Sequence, residues 1–359
     1  MGKFQPRREG ITHVFIDCDP IAYKGSSSKE KVRYHFTKTY EDGEEETSQI
    51  FPSAKEAGSF LVSEGLMDNA EGWTRHAVKD IPVLKEVLEA TQTVLNEYMN
   101  TAKKLTGNED LIFVGYLTGT GKKSKDLEGL EDMYQWDRDP NDKPRYLKQA
   151  REYLLTTHDW IKMCPLPFEA DAILMSRTEK KGRKGMAMFI DKDLRAVEGC
   201  WFVDMNPIPA ERQLIFSENE VGALYLKVST TSSGKKKTEV KGFGFIWDWI
   251  LGVGGDKADD YKGLAGMGAK KVYDLIHESE TKKEIAETIY ELYKKKFPNG
   301  KIYTPQHYPD DRPQKEQFRT AYQLLEQHMN LAHQERSPKD LFRLSDYIGE
   351  EADEVHNND

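Results

Sequence analysis

Acidic residues in this chain stand in close pairs where apolar runs stop. Asp17 and Asp19 follow Val14-Phe15-Ile16, Asp191 and Asp193 follow Met186 to Ile190, and Asp256 with Asp259 and Asp260 follows Gly254-Gly255. A fourth pair, Glu169 and Asp171, opens a helical pattern. Carboxylates gathered in one pocket repel each other unless cations hold them. With no His or Cys in the set the donors are hard oxygens, which favours Mg²⁺, with Mn²⁺ as its substitute, over Zn²⁺. Each pair taken singly has a plainer reading. An Asp at a strand end is a common turn former or helix N-cap, and Glu169 and Asp171 in a first helical turn are stabilised by the helix dipole without any metal. Their joint appearance is what points to chemistry.

The elements between these acids must bring them together. Thr12 to Ile16 is an apolar run of the kind buried on both faces in a parallel sheet. Residues 32–51 alternate around Glu41-Asp42-Gly43 and predict a β-hairpin. From Pro82 the apolar positions Val83, Leu84, Val87, Leu88, Val94, Leu95, Met99 and Leu105 recur with helical period, and Gly107 closes the helix. A strand at Leu111 to Tyr116 follows, then a long polar stretch from Thr118 to Pro144 of the length that usually serves function. Further on, helices are predicted at 145–161 and 169–177, strands at 186–190 and 200–203, a hairpin within 213–246, and helices at 269–277, 282–297 and 314–333. This order builds an α/β fold with a mostly parallel central sheet. In such sheets the C-terminal strand edges share one crevice, where acids from distant sequence can meet.

Composition bounds the function. The 359 residues suffice for a large core, in one large domain with a subdomain or in two domains. No run of eighteen apolar residues occurs, mean hydropathy is −0.73, and the N-terminus MGKFQPRREG lacks a signal-peptide stretch. A cytoplasmic protein without membrane contact, and a monomer, is therefore expected. Cys18, Cys164 and Cys200 form no metal-ligand spacing and read as reduced core residues. The net charge of −9 opposes a broadly nucleic-acid-binding surface. Basic clusters at Lys122, Lys123 and Lys125, at 177–184, at Lys235 to Lys237 with Lys241, at Lys270 and Lys271, and at Lys294 to Lys296 still permit a local basic track. Each alone is more often a solvated face.

Two families share the same aspartates. Asp17, Asp19, Thr118 and Gly255-Asp256 through Asp260 resemble the set of haloacid-dehalogenase-type phosphatases, in which the first Asp attacks phosphorus and the second is the acid/base. Pro20-Ile21 departs from that pattern, and Glu169, Asp171, Asp191 and Asp193 stay idle in it. The segment from Gly255 to Lys271, with Asp256, Asp259, Gly263, Gly266, Gly268 and Lys270, is similar to the GDxxDxxxGxxGxGxKxA segment of flap endonucleases and of phage and bacterial 5′-nucleases. Phe15-Ile16-Asp17, Phe168-Glu169-Ala170-Asp171-Ala172 and Ile190-Asp191-Lys192-Asp193-Leu194 resemble further motifs of that family in the same order. Tyr134 and Arg138 resemble its arch residues that meet a 5′ end, although Gln135 replaces the arch lysine.

This second resemblance implies a PIN-like nuclease core over residues 1–250, with 118–144 as the arch. It implies a helical helix-three-turn-helix subdomain over 251–345 that binds DNA through Gly266, Gly268, Lys270 and Lys271, while the acidic composition of 346–359 predicts a disordered tail. Two Mg²⁺ ions would be held by Asp17, Glu169, Asp171, Asp191, Asp193, Asp256 and Asp259. The substrate would be a DNA or RNA–DNA duplex with a free 5′ end, as in replication primer removal, in a bacterial or viral setting (host cytoplasm in the latter case). The family's Asp after the second strand is replaced by Leu117-Thr118-Gly119, so Asp19 is expected to substitute. A cleavage-deficient DNA-binding derivative of such a nuclease is the third class that the residues allow.

Overall fold

The computed structural model describes residues 10–28, 30, 32–40, 42–63, 73–80, 82–119, 143–218, 220–230, 234–257, 261–303, 317–333 and 340–349. Along the chain these form β1 (His13–Asp17), α1 (Asp19–Ser27), β2 (Val32–Thr39), β3 (Glu45–Thr47), α2 (Ala54–Ser63), β4 (Trp73–Lys79), α3 (Leu84–Thr106) and β5 (Ile112–Leu117). Next come α4 (Leu147–Thr157), β6 (Ile161–Met163), α5 (Ala170–Lys181), β7 (Gly185–Phe189), β8 (Cys200–Asp204), β9 (Ile215–Ser217), β10 (Ala223–Thr230) and β11 (Lys236–Phe243). The last part holds α6 (Phe245–Gly254), α7 (Ala269–Ile276), α8 (Lys282–Lys296), β12 (Lys301–Tyr303), β13 (Gln317–Arg319), α9 (Ala321–Ala332) and α10 (Ser345–Ile348). The chain divides into two compact units, one of Met1–Pro20, Tyr98–Pro140 and His158–Asp359, the other of Ile21–Glu97 and Asn141–Thr157.

The larger unit is built on a six-stranded sheet of order β6-β5-β1-β7-β8-β9. β1 pairs in parallel with β5 on one side and β7 on the other, and β8 continues the parallel run before β9 closes the edge antiparallel. The fold class read from the sequence, α/β with a mostly parallel central sheet, is thus observed. The inner strands are buried on both faces, as their unbroken apolar sequences require: Val14, Phe15 and Ile16 in β1, every residue of β7, and Cys200 to Val203 in β8. Chain order runs outward from β1 through β5 and β6, then returns to its other side for β7 and β8. The sheet therefore has its switch point at β1, and the crevice of such a sheet opens at the C-terminal strand ends there.

One hydrophobic core runs from this sheet into the helical part. It joins Phe15, Phe189 and Phe202 to Trp249, Ile285, Ile289, Tyr293 and Leu324. α6 lies at its heart: every residue from Phe245 to Val253 is buried, as expected of a helix that is apolar all round. This helix spans residue 250, so both sides of that position share a single core. α10 packs Tyr347 against Phe342 and Phe245, with ring centroids 5.6 and 5.0 Å apart; residues 350–359 lie outside the described set.

The smaller unit carries the antiparallel sheet β3-β2-β4. The hairpin predicted around Gly43 is β2–β3, with Thr39 opposite Glu45 and Gly43 at φ 86°. Phe36, Phe51 and Ala57 form its core, with Phe60 and Trp73 packed against them. In the same unit α1 crosses α3 at very close approach. A Cβ added to Gly25 would lie 2.5 Å from the Thr91 Cα, so only glycine fits there.

Candidate metal centre

Asp17 ends β1, at the C-terminal edge of the central strand. Its Oδ1 accepts the N–H of Asp19 at 3.1 Å, the short local bond of an Asx turn. Asp191, just past the end of β7, does the same for the N–H of Asp193 at 3.1 Å. The turn-forming role allowed by sequence is therefore real at both places. It coexists with a stronger feature: Asp17 is only 6 % exposed, and its carboxyl is pushed well above its usual range. Burial is the first cause, and the negative charges of Asp19, Asp171 and Asp191 add to it against a smaller opposing effect of the Asp19 N–H. Four acids from three separate segments thus share one electrostatic neighbourhood.

Asp19 opens α1, and its Oδ2 accepts the backbone N–H of Thr118 at 2.9 Å. Thr118 is the residue just past β5 where the resembled nucleases carry an acid. Its Oγ1 in turn accepts the N–H of Ala170, also at 2.9 Å, at the start of α5. One threonine therefore ties Asp19 to the helix turn that carries Glu169 and Asp171. Glu169 sits at the N-cap position of α5, yet its side chain makes no capping bond; the Thr118 hydroxyl serves the helix end instead. Asp171 accepts the N–H of Ala172 at 2.8 Å.

Two further predicted acids are nearly sealed from solvent. Asp193 is 2 % exposed and Asp256 3 %. Asp256 forms an ion pair with Lys192, the residue between Asp191 and Asp193. Its backbone is pinned by a pair of bonds with Tyr261, Asp256 N–H to Tyr261 O at 2.9 Å and Tyr261 N–H to Asp256 O at 3.0 Å. Gly255 (φ 77°) and Gly263 (φ 35°) make this return possible, because a Cβ on Gly263 would lie 2.5 Å from the Gly255 nitrogen. Asp259 and Asp260 lie outside the described residues, as do Tyr134, Arg138, Lys122, Lys123 and Lys125.

The donor chemistry of the set suits a hard divalent cation. Among the described residues, however, no three His, Cys, Asp or Glu side chains converge as a finished metal-binding group. The acids that act on Asp17 therefore gather without chelating.

At the glycine-rich segment, Gly266 turns at φ 79° and Gly268 stands before α7 at φ −119°. A Cβ on Gly268 would meet nothing within 4 Å, so no internal contact requires a glycine there. Both lysines of the predicted phosphate grip have partners within the chain. Lys270 pairs with Asp274 one turn on, and Lys271 donates to the Gly266 carbonyl at 2.8 Å. Lys296 donates to the Ala265 carbonyl beside them.

Sequence reasoning missed three participants. Lys192 filled a variable position within a motif, Thr118 stood for a missing acid or as a member of the phosphatase set but not as the tie between Asp19 and α5, and Arg177 was part of a basic run. Arg177 of α5 hydrogen-bonds the Tyr116 hydroxyl, although burial still pushes the Tyr116 hydroxyl above its usual range. Only Lys192 carried a signal, since a cation placed between two acids seeks a third.

No helix among the described residues is long and apolar enough to cross a membrane. No protein-family model and no curated protein matches the chain.

Proposed function

We propose that this chain is a divalent-metal-dependent nuclease with a PIN-like core, hydrolysing phosphodiesters of DNA or of an RNA–DNA duplex near a free 5′ end. The observation that carries the reading is Asp17, buried at the end of the central strand within the fields of Asp19, Asp171 and Asp191. Burial among negative charges makes such a carboxyl hold its proton to higher pH than a free one, and positive charge arriving there favours its release. Mg²⁺ or Mn²⁺ bound there would lower the pKa of a water and neutralise charge developing on a phosphoryl oxygen.

The chain's own contribution is positioning. Asp17 and Asp191 are fixed by their turn bonds, and Asp19 is fixed by the Thr118 N–H. Asp171 stands on a helix end that the Thr118 hydroxyl secures. Asp19 occupies the role of the acid that the resembled nucleases place after β5. The exposed turn at Gly266 to Gly268, ahead of the α7 N-terminus and beside Lys270 and Lys271, suits a duplex phosphate as the anchor of a helix-three-turn-helix. The side chain missing at Gly268 has no internal reason, and backbone amides open to an outside anion would supply one.

The phosphatase reading fares worse. It leaves Asp171 and Asp191 idle although both act on Asp17. The deciding experiment incubates the protein with 5′-labelled flap and nicked duplex DNA, with and without Mg²⁺, beside a generic phosphate monoester. Mg²⁺-dependent release of short 5′ products supports the nuclease. Monoester turnover without DNA cleavage would install the phosphatase, and DNA binding without cleavage the binding protein.

A further inference from the structure

β10 and β11 form a sheet of their own, paired without a break from Ala223 opposite Phe243 to Thr230 opposite Lys236. Its root is fixed in the larger unit. The Ile246 N–H donates to the Val221 carbonyl at 2.9 Å and the Gly244 N–H to the Arg195 carbonyl at 2.8 Å, while Phe243 packs against Phe202 with ring centroids 5.6 Å apart. Beyond the root the ribbon projects: every residue of β10 from Tyr225 to Thr230 is exposed, as are Lys236, Lys237 and Thr238 of β11. Strand alternation then separates two faces. Leu226 and Val228 share one with Val240, and at its root end Leu224 and Val240 pack on the core. Tyr225, Lys227 and Ser229 share the other with their partners Lys241, Glu239 and Lys237.

We infer that this ribbon is a duplex-binding arm that lays its Tyr225 and Lys241 face along a phosphate backbone without reading sequence. The inference rests on the nucleic-acid reading above and gives that partner a contact outside the glycine-rich turn. Charge carries it. In a chain of net charge −9, the two strands hold Lys227, Lys236, Lys237 and Lys241 against the single carboxylate of Glu239. Glu239 lies 2.6 Å from Lys237 and 3.2 Å from Lys241, and its hydrogen bonds to them hold its carboxyl below the usual range. Three lysines set against that one carboxylate leave the face with an excess of positive charge. Lys237 and Lys241 stand about 14 Å apart at the rise of a strand, a length over which one strand of a duplex presents about four phosphates. The hydroxyls of Tyr225 and Ser229 on the same face can donate to phosphate oxygens. β11 also packs against α7, the helix that follows the Gly266 to Gly268 turn. An anionic lipid surface fits less well, because Gly234-Lys235-Lys236-Lys237-Thr238 at the outer end of the arm offers no apolar side chain to bury in it.

The test is binding of the full chain to labelled nicked duplex in Ca²⁺, over about 50 to 200 mM salt. Lys227→Gln with Lys237→Gln should flatten log affinity against log salt by about one to two units, since each lost phosphate contact removes about 0.9. In Mg²⁺ the same pair should raise KM for flap cleavage and leave kcat unchanged. Glu239→Gln should act in the opposite sense and bind about 3- to 5-fold more tightly at the lowest salt, the effect of about one exposed charge contact. A gain of this kind cannot come from a damaged fold. Glu89→Gln, the same charge change on α3, should alter nothing. Wild-type affinity and slope in both ribbon variants would overturn the inference and leave the nucleic-acid reading intact, as would equal tightening by Glu239→Gln and Glu89→Gln, which would reduce the effect to net charge. If the ribbon variants bind as wild type and Val228→Asp dissociates a dimer, the ribbon is instead a pairing face for a second copy. A wild-type chain that binds no duplex even at the lowest salt would sink the reading itself, and this inference with it.

Discussion

Thr118→Val tests the link between β5 and the acid-bearing helix. Valine keeps the shape and deletes only the hydroxyl that accepts the Ala170 N–H. Ala170 is 2 % exposed, so water cannot reach the orphaned donor easily. Leaving a buried N–H unpaired costs about 1–3 kcal/mol, and losing a helix N-terminal cap about 0.5–2 kcal/mol. The two ranges describe one bond, so about 1–2 kcal/mol is expected, with no cavity cost because the volume is conserved. The backbone N–H that holds Asp19 survives the change to valine, which confines the damage to the first turn of α5. That turn carries Glu169 and Asp171, and a displacement near 1 Å there can lower turnover about 100-fold. Urea denaturation measures the first effect and Mg²⁺-dependent cleavage of a labelled flap the second. Thr118→Ser should restore both. A Val variant within about 0.5 kcal/mol of wild type, the range of an ordinary surface change, or a Ser variant as damaged as Val, would refute the link.

Asp17 makes a pH prediction whose sign follows from proton binding. Its folded carboxyl lies well above the ordinary 3.8, so over the window between the two values the folded chain holds a proton that the unfolded chain lacks. Stability must fall as pH rises through that window, by about 1.4 kcal/mol for each unit of separation. In EDTA, Asp17→Asn should remove this fall and be more stable than wild type near neutral pH; parallel denaturation profiles from pH 4 to 8 would count against a raised Asp17. Gly25→Ala should destabilise by about 1–3 kcal/mol through overpacking. Thr91→Ala should not rescue it, because the clash includes the Thr91 Cα, and full rescue would contradict that geometry. Lys270→Ala with Lys271→Ala should flatten log affinity against log salt for nicked duplex in Ca²⁺ by about one to two units, since each lost phosphate contact removes about 0.9. An unchanged slope would assign both lysines wholly to their internal partners, Asp274 and Gly266.

Elements with a clear period were legible in the sequence. β1, β7 and β8 were readable as apolar runs buried on two faces, and α3 as an amphipathic helix ending at Gly107. α6 was not, because a segment reading Phe-Ile-Trp-Asp-Trp-Ile-Leu has no polar face to reveal a helical period. Three-residue strands such as β6 are too short to carry a pattern. Within the centre, strand ends pointed to Asp17 and Asp191 because a parallel sheet exposes those edges. The partnerships of Lys192 with Asp256 and of Thr118 with Asp19 and Ala170 join residues that only the folded topology makes neighbours. The local turn bonds of Asp17 and Asp191 also show why one acid pair alone could not separate a turn former from a ligand.

The place of β1 in the sheet also orders events during synthesis. His13 pairs with Ile112 on one side and with Gly185 on the other, so the strand carrying Asp17 leaves the ribosome roughly 170 residues before its second neighbour. At about 5–20 residues per second that is a wait on the order of 10 s or more. Asp191 and Asp256 emerge later still. Until then the nascent chain holds its first acids without their counterparts, and any activity of the centre is postponed until most of the polypeptide has been made.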